Sequence, residues 1–155
     1  MSDARQVIET LLVRGLSVAC GESITGGLVC AQLSSVPGSS AALRGGVVAY
    51  QTDVKEHLLA VSPQVLAGGL VSEGVAVALA AGAAATLGSD VGIGTTGAAG
   101  PTPHDGAPPG SAWIAVTLPD VEPLTEQLQI SGDREDVRDH VVAAAIALAR
   151  RALEA

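Results

Sequence analysis

The stretch that decides the fold is Leu16-Ser17-Val18-Ala19-Cys20-Gly21-Glu22-Ser23-Ile24-Thr25-Gly26-Gly27-Leu28-Val29-Cys30-Ala31-Gln32-Leu33. An apolar run from Leu16 to Cys20 leads into Ser23, and an apolar-periodic segment from Leu28 to Leu33 leaves it. That order predicts a strand, a tight turn and a helix over residues 25–35. A serine there projects from the turn, while backbone N–H groups of the starting helix point at whatever binds beside it. Such a site can hold an anion, an oxyanion, or both. On local pattern Ser23 is either a nucleophile or a helix cap, and Thr25 is an equally good cap.

Working outward, Val7, Leu11 and Leu12 form a helical stripe that Gly15 is placed to end. Pro37-Gly38-Ser39-Ser40 makes a turn before a second strand at Gly46–Tyr50. Thr52, Ser62 and Ser72 are set to cap three helices: one carrying Lys55, Leu58 and Leu59, a short one from Pro63, and one over about 73–87 ending at Gly88. Val91–Thr95 reads as a third strand, and residues 96–110, with four prolines and four glycines, as loop. Trp113–Leu118 and Leu124–Ile130 read as two further strands, and Asp133 caps a final helix over roughly 134–153. The alternation implies a three-layer α/β/α sandwich whose mixed, mostly parallel sheet has an antiparallel pair near the C-terminus. Without repeats or a linker, residues 1–155 read as a single domain.

A chain of 155 residues buries roughly 68–70% of its unfolded surface, enough for a real core. Hydrophobic residues make up 48%, yet there is no Phe, one Trp and one Tyr, so Val, Leu, Ile and Ala must fill that core. A formal charge of −8 argues against a nucleic-acid or anionic-membrane surface, which needs clustered Lys and Arg. One small anionic ligand remains compatible, since a helix N-terminus and one or two arginines suffice. With no signal peptide read, Cys20 and Cys30 are expected as reduced buried thiols in a cytoplasmic protein. No unbroken apolar stretch is long enough to span a bilayer. A homodimer suits so small and apolar a domain.

Several patterns compete for the chemistry. Gly92-Ile93-Gly94-Thr95-Thr96-Gly97 fits GxGxxG, but a dinucleotide fingerprint needs a helix directly after it, and Pro101, Pro103, Pro108 and Pro109 forbid one. It reads as a glycine-rich buried strand entering a loop. That loop still follows a strand's C-terminal end, so Thr96, Gly97 and Gly100 can line a pocket. The serine elbow GxSxG is not met, because position 25 is Thr. His57, His104 and His140 are not placed to complete a triad and read as solvated or half-buried histidines. Lys55 differs. It is the only lysine beside seven arginines, and a neutral lysine can serve a serine as base. Near pH 7.5 only about one ordinary lysine in a thousand is neutral, so desolvation would have to lower its pKa by about 3 units. Tyr50, the only tyrosine, can hydrogen-bond nucleophile or ligand from a strand end. Asp133-Arg134-Glu135 opens the last helix, where the acids suit the dipole and Arg134 can clamp a phosphate.

Five segments in register carry a resemblance over almost the whole chain. They are Glu22-Ser23-x-Thr25-Gly26-Gly27; Gly45-Gly46-Val47-Val48-Ala49-Tyr50 with Lys55 and Leu58-Leu59; Val71-Ser72-Glu73; Thr96-Gly97-x-Ala99-Gly100-Pro101; and Gly132-Asp133-Arg134. The chain resembles the C-terminal domain family of the competence/damage-inducible protein CinA, which includes stand-alone nicotinamide-nucleotide amidases. The resemblance implies hydrolysis of the carboxamide of nicotinamide mononucleotide, a pyridine nucleotide, without metal or cofactor. It implies Ser23 as nucleophile, Lys55 as its base, and Tyr50 and Ser40 supporting the base or the ligand. Glu22, Thr25, Gly26, Gly27, Thr96, Gly97 and Gly100 would line the substrate site, with amides near Thr25 to Gly27 facing an oxyanion and Arg134 facing the phosphate. Position 24 is Ile where the family frequently has Cys or Leu. Thr102-Pro103-His104-Asp105-Gly106 lacks the usual glycine pair, so the shape of that wall does not carry over. The N-terminal domain of longer members, and its pyrophosphatase activity, are not carried over either.

Two other readings stand beside the amidase. A non-catalytic nucleotide-binding or regulatory module would keep the pocket without turnover. A protein-interaction role linked to competence or DNA damage rests on the family name, and the acidic composition counts against direct DNA contact.

Overall fold

The structure, a computed structural model, describes all of residues 1–155. The elements run α1 (Asp3–Arg14), β1 (Val18–Glu22), α2 (Leu28–Ser34), a 3-10 turn (Ser39–Ala41), β2 (Leu43–Val48), α3 (Thr52–Leu59), α4 (Pro63–Ala67) and α5 (Glu73–Leu87). They continue with β3 (Val91–Gly97), β4 (Ser111–Thr117), β5 (Leu124–Gln129) and α6 (Arg134–Glu154). The strand order is β2-β1-β3-β4-β5. β1 pairs in parallel with both β2 and β3, while β4 runs antiparallel between β3 and β5. This is the expected α/β class.

The chain crosses from β1 to β2 through α2 on one face, then from β2 to β3 through α3, α4 and α5 on the other. The connections therefore diverge from β1, and the carboxyl ends of β1 and β3 flank a switch point where open α/β sheets bind ligands. α1, α2 and α6 bury one face with Val7, Ile8, Leu11, Val29, Leu33, Val141 and Leu148 against Val18, Cys20, Ile93 and Ile114. α5 covers the opposite face and lies unusually close. A Cβ at Gly94 would fall 2.1 Å from the Ala76 carbonyl oxygen, and one at Gly92 would fall 2.0 Å from that of Ala80. Gly92 and Gly94 thus exist for helix–sheet contact, which explains the GxGxxG match without a nucleotide.

Several boundaries move, each for a tertiary reason. β1 ends at Glu22 rather than Cys20, because β2 and β3 pair with it as far as Glu22↔Val48 and Glu22↔Thr95. β3 likewise extends through Thr96 and Gly97, which pair with Trp113 and Ala112 of β4, so the predicted loop begins later. Helix α2 begins only at Leu28, since Gly26 (φ 57°) and Gly27 (φ 99°) sit in the left-handed region that glycine tolerates. Thr25 is therefore not its cap. β2 spans Leu43–Val48 and leaves Tyr50 beyond its end. Gln51, not Thr52, holds the cap position of α3 and makes no side-chain cap bond. Ser62, Ser72 and Asp133 do cap α4, α5 and α6. No helix is long and apolar enough to cross a membrane.

Candidate active site

The segments after β1, β2 and β3 meet the start of α6 around a cavity of about 170 Å³. Ser23 and Ile24 follow β1, Tyr50 follows β2, and Gly97, Ala99, Gly100, Thr102, Pro103 and His104 end or follow β3; Arg134 opens α6. The lining holds no carboxylate in a chain with 16 acidic residues. Its one permanently charged member is Arg134, so the cavity favours an anionic ligand.

Ser23 leaves the sheet with its N–H donating to the Thr95 carbonyl (3.0 Å), and its own carbonyl accepts from Gly26 N–H (3.1 Å). Leu28 N–H closes the turn onto the Thr25 carbonyl (3.0 Å). The N–H groups of Ile24, Thr25 and Gly27 have no acceptor within the protein, whereas that of Gly26 is engaged by Ser23. From outside, Arg138 donates through Nε to the Ile24 carbonyl (3.1 Å) and through Nη2 to that of Thr25 (3.4 Å). Those carbonyls are thereby drawn toward α6.

Glu22 has a different role from the substrate contact expected of it. It is 1% exposed, and its carboxylate accepts from Thr25 Oγ1 (2.5 Å), Val29 N–H (2.9 Å) and Cys30 N–H (3.0 Å). The carboxylate caps α2 from within the fold, satisfying helix donors that would otherwise be orphaned. Thr25, buried between Glu22 and Thr95 Oγ1 (2.8 Å), is part of that network and does not line the cavity. Glu22→Gln keeps one acceptor but turns an NH₂ group toward backbone donors. It should cost about 2–3 kcal/mol, read as a lower denaturant midpoint with an unchanged slope.

Lys55 is 2% exposed and has no carboxylate partner. Its Nζ donates to the Tyr50 carbonyl at 3.1 Å. Burial lowers its pKa from the ordinary lysine value, the direction the base role requires. Ala49 N–H donates to the Glu22 carbonyl at 2.8 Å, laying the chain after β2 alongside the Ser23 turn. The amine is thus tethered to the segment that flanks the serine, although no hydrogen bond joins Ser23 Oγ to Lys55 Nζ. Tyr50 itself is 52% exposed. Its hydroxyl accepts from Arg134 Nη2 (2.9 Å), and Arg134 Nη1 donates to the Gly100 carbonyl (2.7 Å). Arg134 has no acidic partner, so its remaining donors are free for an anion.

Other expected site residues lie elsewhere. Ser40 is exposed in the 3-10 turn before β2, at the opposite end of the sheet from Ser23. The six-residue β2 alone spans roughly 20 Å between those ends. Thr96 is buried with Oγ1 donating to the Leu70 carbonyl (2.6 Å), so it anchors a loop and does not line the cavity. Gly26 and Gly27 shape the turn without lining the cavity; Gly97 and Gly100 do line it. His57 and His140 are exposed and outside the cavity, as expected of solvated histidines. His104 is exposed but reaches the lining, and Arg138 holds the turn through the Ile24 and Thr25 carbonyls. The signal for His104 was its place in the loop after β3. Arg138 lies one turn after Arg134 and offered none.

A larger cavity, about 510 Å³, lies among α1, α2 and α6, lined by Ala4, Leu28, Val142 and Ile146 among others. Ser23, Tyr50 and Arg134 line the smaller cavity and not this one, so the smaller cavity is the candidate site; Lys55 lines neither and reaches it through Tyr50. No cluster of three or more His, Cys, Asp or Glu side chains is arranged to hold a metal.

Comparison with known proteins agrees with this architecture. The CinA C-terminal domain matches residues 2–153. A CinA-like protein of Frankia casuarinae is 43% identical over 148 residues, covering 95% of this chain and 34% of the relative. One from Mycolicibacterium gilvum is 44% identical over 144 residues, covering 92% and 34%. The crystal structure of a CinA superfamily protein from Klebsiella pneumoniae superposes with a TM-score of 0.92 at 30% identity, covering 98% of this chain and 96% of the other. The competence/damage-inducible protein of Agrobacterium tumefaciens also gives 0.92 at 30% identity, covering 99% and 94%. The chain thus spans about a third of the length of the curated relatives it matches. Matched end to end in sequence and in fold, it belongs to the CinA C-terminal domain family.

Proposed function

We propose that this domain, over residues 1–155, is a nicotinamide-nucleotide amidase that hydrolyses nicotinamide mononucleotide to nicotinic acid mononucleotide and ammonia. The observation that carries the reading is a buried lysine without an acidic partner, tethered to Tyr50 beside the cavity that Ser23 opens into. In this reading Ser23 Oγ attacks the carboxamide carbon while neutral Lys55 Nζ takes the hydroxyl proton. Catalytic hydrogen bonds are often long before substrate binds and tighten in the complex. The unengaged N–H of Ile24, a lining residue next to Ser23, is the donor this reading offers to the oxyanion, a contribution of roughly 3 kcal/mol. Lys55 then returns the proton to the departing ammonia, and water cleaves the acyl-serine by the reverse relay. A cavity of about 170 Å³ suits the pyridine carboxamide, with ribose and phosphate extending toward Arg134.

The test is ammonia release from nicotinamide mononucleotide by the purified protein, beside nicotinamide riboside and NAD. Turnover of the mononucleotide well above the other two is expected. The bridge from Arg134 to Tyr50 and Gly100 also fits a non-catalytic nucleotide-binding module. Calorimetric binding of the mononucleotide with no product formed would select that reading instead.

A further inference from the structure

Cys20 is fully buried in the middle of β1, and Cys30 is half-buried in the first turn of α2. Their side chains meet over Gly46 of the edge strand β2. A Cβ built at Gly46 would fall 3.0 Å from both Cβ and Sγ of Cys30 and 3.5 Å from Cβ of Cys20. The Cys30 sulfur and the Cys20 β-carbon therefore border the space that a side chain at position 46 would fill. Gly46 is itself exposed, and Cys30 is the member of the pair that reaches solvent. The neighbouring Cys20 thiol lowers the Cys30 pKa to about 7. The neighbouring Cys30 and burial push Cys20 well above the usual thiol range. Cys30 is thus the accessible, partly ionised thiol and Cys20 a protonated partner poised to resolve it.

We propose that Cys20 and Cys30 are a modification site, an oxidisable dithiol that a hydroperoxide closes into an intramolecular disulfide, displacing the Ser23 turn. The Cys30 thiolate attacks one peroxide oxygen, breaks the O–O bond and becomes a sulfenic acid. The Cys20 sulfur then attacks the Cys30 sulfur, and the expelled hydroxide leaves as water with the Cys20 proton. Two thiols lose two electrons, and one hydrogen peroxide becomes two waters. A sulfur–sulfur bond of about 2.05 Å is far shorter than a non-bonded contact, so something must move. β1 is fixed between β2 and β3, and the movement falls on the seven-residue α2. Its first turn holds Glu22 through Val29 and Cys30 N–H, one residue before the serine.

The cross-link does not depend on the amidase reading; only its effect on turnover does. The full chain treated with hydrogen peroxide should lose about 2 Da, form no disulfide between chains, and yield a peptide joining residues 20 and 30 that dithiothreitol separates. Cys20→Ser should stop at a Cys30 sulfenic acid that dimedone traps. Slowed or altered amide exchange across residues 23–30 reads the displacement whether or not the protein turns over. Deamidation should fall roughly tenfold or more and recover on reduction. Two persistent free thiols, a cross-link between chains, or sulfinate without a cross-link would overturn the dithiol. A disulfide that leaves exchange across 23–30 unchanged would overturn the displacement.

Discussion

Ser23→Ala should lower deamidation of nicotinamide mononucleotide by about 10⁴-fold in kcat while leaving ligand binding and folding close to wild type. The size follows from losing the nucleophile of a covalent pathway, for which comparable deletions cost roughly 10⁴–10⁶. The fold should hardly notice. Ser23 is anchored through its main chain, by Thr95 and Gly26, and its hydroxyl makes no bond within the protein. Ser23→Cys is the informative companion, since it keeps a nucleophile of similar size. The checks are single-turnover kinetics with detection of an acyl-enzyme, and calorimetry with nicotinic acid mononucleotide. Turnover by Ser23→Ala near the wild-type rate would end the assignment of this residue, whatever the substrate proves to be.

Lys55→Met should abolish activity by about 10³-fold, in the range of a general base, with stability at neutral pH equal to or above wild type. Methionine keeps the length and apolar stem of the lysine. It also removes a buried ammonium that only the Tyr50 carbonyl solvates; replacing buried charge by an apolar side chain of similar volume is often neutral or stabilising. A lysine kept for structure would instead lose stability on this change. The pH dependence gives a second check. Burial lowers the Lys55 pKa in the folded state, so the folded protein binds fewer protons than the unfolded chain between that lowered value and about 10.4. Stability therefore gains a term that rises with pH across that window, and below it the full penalty of the buried charge is present. Lys55→Met should flatten this term. Wild-type kcat should rise with pH through the Lys55 pKa and level off above it, because the neutral amine is the active form.

Much of this was legible because it is local. The strand–turn–helix around Ser23 follows from an apolar run, two glycines and an apolar-periodic segment. The caps at Ser62, Ser72 and Asp133 follow from hydroxyl or carboxylate groups set before helical repeats. Even the rejection of GxGxxG as a nucleotide site held, because the prolines after Gly97 sit on the chain itself. Glu22 shows where such reading stops. A carboxylate next to a candidate nucleophile looks like a substrate contact, and nothing in its neighbours shows that it turns inward to cap α2. Ser40 shows the same limit: its order along the chain suited the site, but the direction of β2 carries it to the opposite end of the sheet.

The amino-acid sequence alone determined the layer architecture, the family, the serine-bearing turn and the oddity of a single lysine, since each depends on periodicity, conformational preference or residue type within a short window. Only the folded chain decided that Arg134 bridges Tyr50 and Gly100, that Arg138 holds the carbonyls after Ser23, and that Lys55 is desolvated beside Tyr50. Those outcomes depend on which strands become neighbours and on how far backbone pairing continues. They are set by contacts between residues 34 to 114 positions apart in the first two cases, and, for the lysine, by the packing that shuts out water.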